Sequence, residues 1–230
     1  MHSIDFRIKK YPEYNKNKEN DLLLGLACVE LNITELCNRT CSFCPRHDPK
    51  LYPNRNLNMS FETANIIKEQ LDLLKFDGYI SLSAYSEPTL HPKFLDIVKI
   101  LSEYSLEVVT NGDTILKSKI TIDKITEAGI NKLLITDYDR NPIWKDYIKK
   151  YPELIVRDHY DDGSDRYEEL NFSNRGGTLW QLKESLNRPC YIPSYKVIID
   201  WNGDVVLCSH NWINKKIFGN IHKETISKIW

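Results

Sequence analysis

From residue 27 onward, short runs of strand character alternate with longer stretches whose apolar residues recur at helical spacing. Residues 27–34 (ACVELNIT) alternate apolar and polar positions and predict a strand. Ser60 is placed to cap a helix running to about residue 75, with Ile66, Ile67, Leu71 and Leu74 along it. A strand over 79–84 follows, then a helix over 92–104 with Phe94, Ile97, Val98 and Leu101 on one face. Strands are expected over 106–110, 132–136 and 154–157, and helices over 117–128, closed by Gly129, and 142–149.

This alternation with short links argues for a parallel sheet with crossover helices, an open doubly wound sheet or a barrel. The pattern alone does not choose between them. After about residue 160 the character changes to turn-rich loops at 161–165 (DDGSD) and 174–178 (NRGGT). Two β-runs, 195–200 and 204–208, flank Trp201-Asn202-Gly203 and predict a hairpin. A helix is expected from residue 221 to the end. The chain therefore divides into a lead-in (1–26), a main α/β unit (27–185) and a small hairpin-plus-helix appendage (186–230).

At 230 residues the chain is long enough for one large core, and its 41% hydrophobic and 27% charged content is ordinary for a soluble protein. A net charge of −1 offers no electrostatic case for nucleic acid or an anionic membrane. The longest apolar run, over 22–29, is far too short to span a bilayer, and the polar N-terminus lacks an export signal. A cytoplasmic protein is expected.

In that reducing setting the six cysteines change the picture. Cys37, Cys41 and Cys44 fall within eight residues, directly after the first strand. Such clustering points to metal ligation. Strand C-termini are where parallel α/β folds place their chemistry. Three thiolates on one loop can hold three irons of a cubane and leave the fourth open. The same residues with His47 could also form a closed Cys3His zinc site, giving a non-catalytic, zinc-stabilised binding module.

The segment Cys37-Asn38-Arg39-Thr40-Cys41-Ser42-Phe43-Cys44 resembles the CxxxCxΦC signature of the radical S-adenosylmethionine (SAM) superfamily. Ser86-Glu87-Pro88, after the second strand, resembles the family's GEP motif, with Ser in place of the usual Gly. Thr110-Asn111-Gly112 resembles its TNG segment, and Asp137 follows the fourth strand where the family often has a polar residue. The resemblance covers about residues 27–160. It implies a partial (β/α)6 TIM-like barrel with a 4Fe–4S cluster on Cys37, Cys41 and Cys44. SAM would be bound near Phe43, Ser86, Glu87, Pro88, Thr110, Asn111 and Asp137. It also implies a flavodoxin- or ferredoxin-type electron donor. Taken singly, Pro88 and Asn111-Gly112 also read as turns and Asp137 as a helix cap.

Cys190, Cys208, Phe218-Gly219-Asn220-Ile221 and the terminal Ile229-Trp230 resemble the start of a SPASM or twitch domain. This implies an auxiliary 4Fe–4S cluster with Cys190 and Cys208 among its ligands; otherwise both are small buried hydrophobes. Arg157, His159 and Arg175 are the candidate substrate groups. An arginine fork suits a carboxylate or phosphate, and a histidine can move a proton. The expected reaction is hydrogen abstraction from a small, sugar-like substrate. The alternative is modification of a peptide, which the short lead-in, lacking room for a recognition domain, disfavours.

Overall fold

The computed structural model describes residues 25–158, 175–179, 190, 192–213 and 215–230. One sheet contains β1 (Cys28–Leu31), β2 (Tyr79–Leu82), β3 (Ser105–Thr110), β4 (Lys132–Asp137), β5 (Leu154–Asp158), β6 (Lys196–Ile199), β7 (Asp204–Val206) and β8 (Ile217–Asn220). The strands lie in the order β5-β4-β3-β2-β1-β6-β7-β8. β1 to β5 are parallel neighbours in chain order. β6 pairs parallel with the other side of β1, and β7 and β8 continue antiparallel. Among the described residues the sheet does not close, as a partial barrel requires. The expected hairpin is present, and its first strand is a member of the barrel sheet.

Ser60 caps α1 (Phe61–Leu73), its hydroxyl accepting the Thr63 N–H at 3.0 Å. In α2 (Phe94–Leu101) the buried residues are Phe94, Ile97, Val98 and Leu101, the face the spacing predicts. Cutting one such side chain to alanine costs about 2–5 kcal/mol. Two expectations need correction. The helix over 117–128 is two short ones, α3 (Asp113–Leu116) and α4 (Ile122–Glu127). Ser118 has a positive φ of 53°, which breaks the run, and the Thr121 hydroxyl restarts it by accepting the Lys124 N–H. The helix over 221–230 is confined to α6 (Ile226–Ile229), because residues 221–224 form a turn in which the Lys223 and Glu224 N–H groups donate to Asn220 O, and residues 217–220 before it join the sheet as β8. The expected helix over 142–149 is present as α5 (Trp144–Lys150).

The two faces of the parallel strands differ in kind. Val29, Leu31, Ile80, Leu82, Leu106, Val108, Leu133 and Ile135 join the helices in the main apolar core. The intervening residues point to the opposite, inner face, and many are polar. Lys196 Nζ donates to Glu30 Oε2 at 2.8 Å, and the Ser83 hydroxyl donates to Glu30 Oε1 at 2.5 Å. The Ser81 hydroxyl contacts that of Ser83 at 3.1 Å and donates to Glu107 Oε1 at 3.1 Å. A polar row thus crosses β6, β1, β2 and β3 inside the half-barrel, where burial is tolerated only because each group is bonded.

Candidate active site

The cysteine loop is an excursion pinched shut at its base. Thr34 and Asn58 form an isolated antiparallel bridge, Glu35 N–H donates to Leu57 O at 2.8 Å, and Met59 N–H donates to Ile33 O at 2.8 Å. Within it, Cys44 N–H donates to Cys41 O at 2.9 Å, and a single 3-10 turn over Pro45–His47 follows. Asn54 clamps the backbone of Cys37 on both sides, accepting its N–H at 2.8 Å and donating to its carbonyl at 3.0 Å.

The thiols of the cysteine loop are linked electrostatically. Burial pushes the Cys37 thiol up to about 11, with Glu87 and Cys44 adding to the rise and Arg46 opposing it. Cys44 is likewise raised by burial. All three cysteines act on Tyr138, whose hydroxyl is driven far above its usual range, chiefly by burial. Tyr138 also stacks on Phe43, with ring centroids 5.8 Å apart at 25°.

The expected SAM-side residues meet at the strand ends. Glu87 is only 2% exposed. Its Oε1 accepts from Thr89 N at 3.1 Å, Thr89 Oγ1 at 2.6 Å and Thr110 Oγ1 at 2.6 Å, and its Oε2 accepts from Asn111 N at 2.7 Å. Burial raises its carboxyl above the usual range, and these bonds work against that. Glu87 N–H also donates to Leu36 O at 2.9 Å, which ties this segment to the cysteine loop. Pro88 is buried at the start of the next 3-10 turn. Asn111 Nδ2 donates to Asn38 Oδ1 at 2.9 Å. Asp137 differs from this set: its Oδ1 accepts from Asp139 N and Asn141 N, both at 3.2 Å, so it braces its own turn.

Ser86, the departure from GEP, has a structural reason. Its hydroxyl donates to Asn32 Oδ1 at 2.8 Å, and Asn32 Nδ2 reaches Asp200 Oδ1 at 2.7 Å and Glu35 Oε1 at 3.2 Å. The hydroxyl thus joins a buried network that reaches the hairpin.

Several residues at the site were not singled out in the sequence. Arg39 donates to Asp113 Oδ2 at 3.1 Å and Oδ1 at 2.5 Å, binds Asp139, and lies 5.1 Å from the Tyr138 ring centroid. Asn38 Nδ2 donates to Asp113 Oδ2 at 2.5 Å. Their only signal was position between the first two cysteines. Tyr138, Asn54 and Arg46 gave no signal of their own.

In the second cysteine pair, burial raises the Cys208 thiol and the Cys190 charge adds to the rise. His210 N–H donates to Cys208 Sγ at 3.2 Å. The Tyr85 hydroxyl donates to Cys208 O at 2.6 Å, from the base of the hydrophobic cluster that contacts Cys44. Arg175 faces both sites, acting on Cys44 and on His210. Arg157 donates to Thr136 Oγ1 at 2.8 Å and acts on Tyr138. His159 lies outside the described residues.

Known proteins resemble this chain in sequence and in fold. The radical SAM superfamily model matches residues 31–137, and the SPASM iron–sulfur cluster-binding domain matches residues 190–230. Over 212 residues the chain is 30% identical to the S-adenosyl-L-methionine-dependent 2-deoxy-scyllo-inosamine dehydrogenase of Niallia circulans, covering 88% of this chain and 81% of that one. The fold resembles the crystal structure of BtrN in complex with AdoMet and 2-DOIA, with TM-score 0.74 and 27% identity over 89% of this chain and 82% of that one. It also resembles selenomethionine BtrN in an open conformation, with TM-score 0.64 and 24% identity over 89% and 79% of the two chains. The family's cofactors are a 4Fe–4S cluster and SAM, and the SPASM match adds auxiliary cluster binding. The chain belongs to the radical SAM superfamily.

Proposed function

We propose that this radical SAM enzyme is a dehydrogenase that oxidises an alcohol on a small, polyhydroxylated ring bearing an amine. The observation that carries the substrate class is the polar row Lys196–Glu30–Ser83–Ser81–Glu107 on the inner face of the half-barrel. It offers carboxylate acceptors and hydroxyl donors side by side, chemistry that suits hydroxyls and an ammonium. The 2-deoxy-scyllo-inosamine named for the 30%-identical dehydrogenase is of this class.

In this reading Cys37, Cys41 and Cys44 hold the cluster; three thiols from one loop leave one iron for SAM. Glu87 has Oε1 occupied by three donors and Oε2 by one, so Oε2 keeps room to accept the SAM ammonium. Phe43 offers its ring to the adenine, while Ser86, Pro88, Thr110 and Asn111 shape the cradle. Asp137 holds the turn that presents Tyr138. Held there, the cluster and SAM would supply reductive cleavage of SAM and, through it, the abstraction of a hydrogen atom from the substrate. Cys190 and Cys208 supply two ligands for an auxiliary cluster able to accept the electron left on the substrate. Arg175 and Arg157 anchor substrate oxygens. A flavodoxin- or ferredoxin-type protein in the cytoplasm provides the electron.

The test is anaerobic reconstitution with iron and sulfide, reduction, and incubation with SAM and an aminocyclitol deuterated at its carbinol carbons. Deuterium in 5′-deoxyadenosine together with a ketone product, both lost in Cys41→Ala, is the expected result. Deoxyadenosine without deuterium or ketone would reject the substrate class. Bound zinc without iron would reject the cluster assignment.

A further inference from the structure

Arg46 lies two residues past the last cysteine of the loop and is 4% exposed. Its Nε donates to Tyr85 O at 2.8 Å, and one terminal nitrogen donates to Asn54 Oδ1 at 3.3 Å. The guanidinium sits 4.8 Å from the Tyr52 ring centroid and 5.9 Å from that of Trp212. The other terminal nitrogen is buried, makes no hydrogen bond, and approaches Glu35 Oε2 only to 3.7 Å. Glu35 does not serve Arg46 alone. It also meets Arg55 at 3.4 Å, Lys215 at 3.4 Å and the Tyr52 hydroxyl at 2.9 Å. A buried guanidinium with an incomplete set of partners is therefore held beside the cysteine loop.

We propose that Arg46 is a positioning residue for the Cys37–Cys41–Cys44 cluster. It braces Cys37 through Asn54, and its buried charge raises the cluster's reduction potential. The proposal rests on the assignment of those cysteines as ligands. Reduction adds one negative charge to the cluster, and iron–sulfur potentials respond to local net charge, hydrogen bonding and exposure. A cation in a poorly screened interior stabilises the reduced form more than the same cation in water. Arg46 is anchored two residues past Cys44 and one hydrogen bond from the Asn54 oxygen that accepts the Cys37 N–H, while Glu35 is shared with Arg55, Lys215 and Tyr52. A more easily reduced cluster lightens the demand on the electron donor. The brace acts through a different residue, because Asn54 alone touches the Cys37 backbone.

The experiment is an EPR-monitored potentiometric titration of the reconstituted chain, with iron counted and the relevant signal identified by its change on adding SAM. If the wild-type chain loads no such cluster, the ligand assignment fails and the Arg46 proposal falls with it. Given loading, Arg46→Met is expected to lower the reduction equilibrium about tenfold, about 59 mV for a one-electron couple. Arg46→Lys is expected to restore most of it. The double variant Arg46→Met/Glu35→Gln removes the pair together, which proteins tolerate better than loss of one partner. It is expected to shift in the same direction by less, and it decides the matter if the single variant does not fold. Asn54→Ala is expected to speed iron loss to a chelator while leaving the potential in place. Full iron with an unmoved potential in the Arg46 variants would overturn the charge role. An equal shift in Asn54→Ala would trace the effect to geometry and overturn it as well.

Discussion

The Thr110 hydroxyl donates to Glu87 Oε1 at 2.6 Å, joining the last residue of β3 to the segment after β2. The next residue completes the pairing, since Asn111 N–H takes Glu87 Oε2 at 2.7 Å. Every bond to this carboxylate comes from a donor, and two of them are backbone N–H groups, of Thr89 and Asn111, that cannot reorient. Glu87→Gln places an amide NH2 against at least one of them. Hydrogen bonds to a charged group contribute about 1.5–3 kcal/mol. SAM affinity is expected to fall about tenfold to a hundredfold with iron content retained, measured by calorimetry on the reconstituted protein. Unchanged affinity would remove Glu87 from the SAM site.

Arg39 ties three strand ends together through Asp113, Asp139 and Tyr138. Burial works against its charge, but the two carboxylates prevail and hold the guanidinium firmly cationic. Asp139 is about half exposed, so its share is discounted for solvent screening. Arg39→Met is expected to cost about 1–2 kcal/mol, a fall in Tm of about 2–8 °C. Scanning calorimetry of the loaded protein checks this. A change within error would show the pair to be ornamental.

These two sites differ in how far the chain alone revealed them. Glu87, Thr110 and Asn111 stood out because Ser86-Glu87-Pro88 and Thr110-Asn111-Gly112 resemble the family's GEP and TNG segments, each at a strand end. Arg39 and its partners did not, because Asp113 and Asp139 lie 74 and 100 residues away and only the barrel brings them in. The same limit hid the bond from Ser86 to Asn32, which meet across two strand ends. Strand neighbours are also invisible to local pattern. The hairpin at Asn202-Gly203 was legible from its turn, but the pairing of β6 with β1 is not a local property. β8 escaped because four residues of Ile-Phe-Gly-Asn carry too little periodicity to mark a strand.

His91 is folded in its neutral form. Its Nδ1 accepts Lys93 N–H at 3.0 Å, so Nε2 carries the hydrogen toward Met59 O at 2.9 Å. Burial lowers its pKa, against a smaller opposing effect of Met59 O. His210 is lowered to about 4, first by burial and then by Arg175. In the unfolded chain both take up a proton near pH 6.5. Between the folded and unfolded values the unfolded state binds more protons, so stability is full above about pH 6.5 and falls as pH drops below it. Urea midpoints are expected to decline from pH 7.5 to 5, and His91→Gln to reduce that slope. A native midpoint that stays level over this range would contradict the neutral, buried histidines.

Gly112 closes the Thr110-Asn111-Gly112 turn with φ +77°, in the left-handed region. A Cβ there would lie 2.6 Å from Trp144 Cζ2 and 3.1 Å from Ile135 Cγ2. Two separate penalties follow. The backbone conformation itself costs a non-glycine residue about 1–2 kcal/mol, and overpacking against a rigid indole adds about 1–3 kcal/mol. Trp144→Phe in the same chain removes the indole atoms nearest the new methyl but leaves φ unchanged. Gly112→Ala is therefore expected to lower stability by about 2–5 kcal/mol. In the Trp144→Phe background the same substitution should cost only the backbone share. A double-mutant cycle by urea unfolding separates the two. Equal costs in both backgrounds would mean that the indole does not press on the turn, and that the glycine is required for its backbone alone.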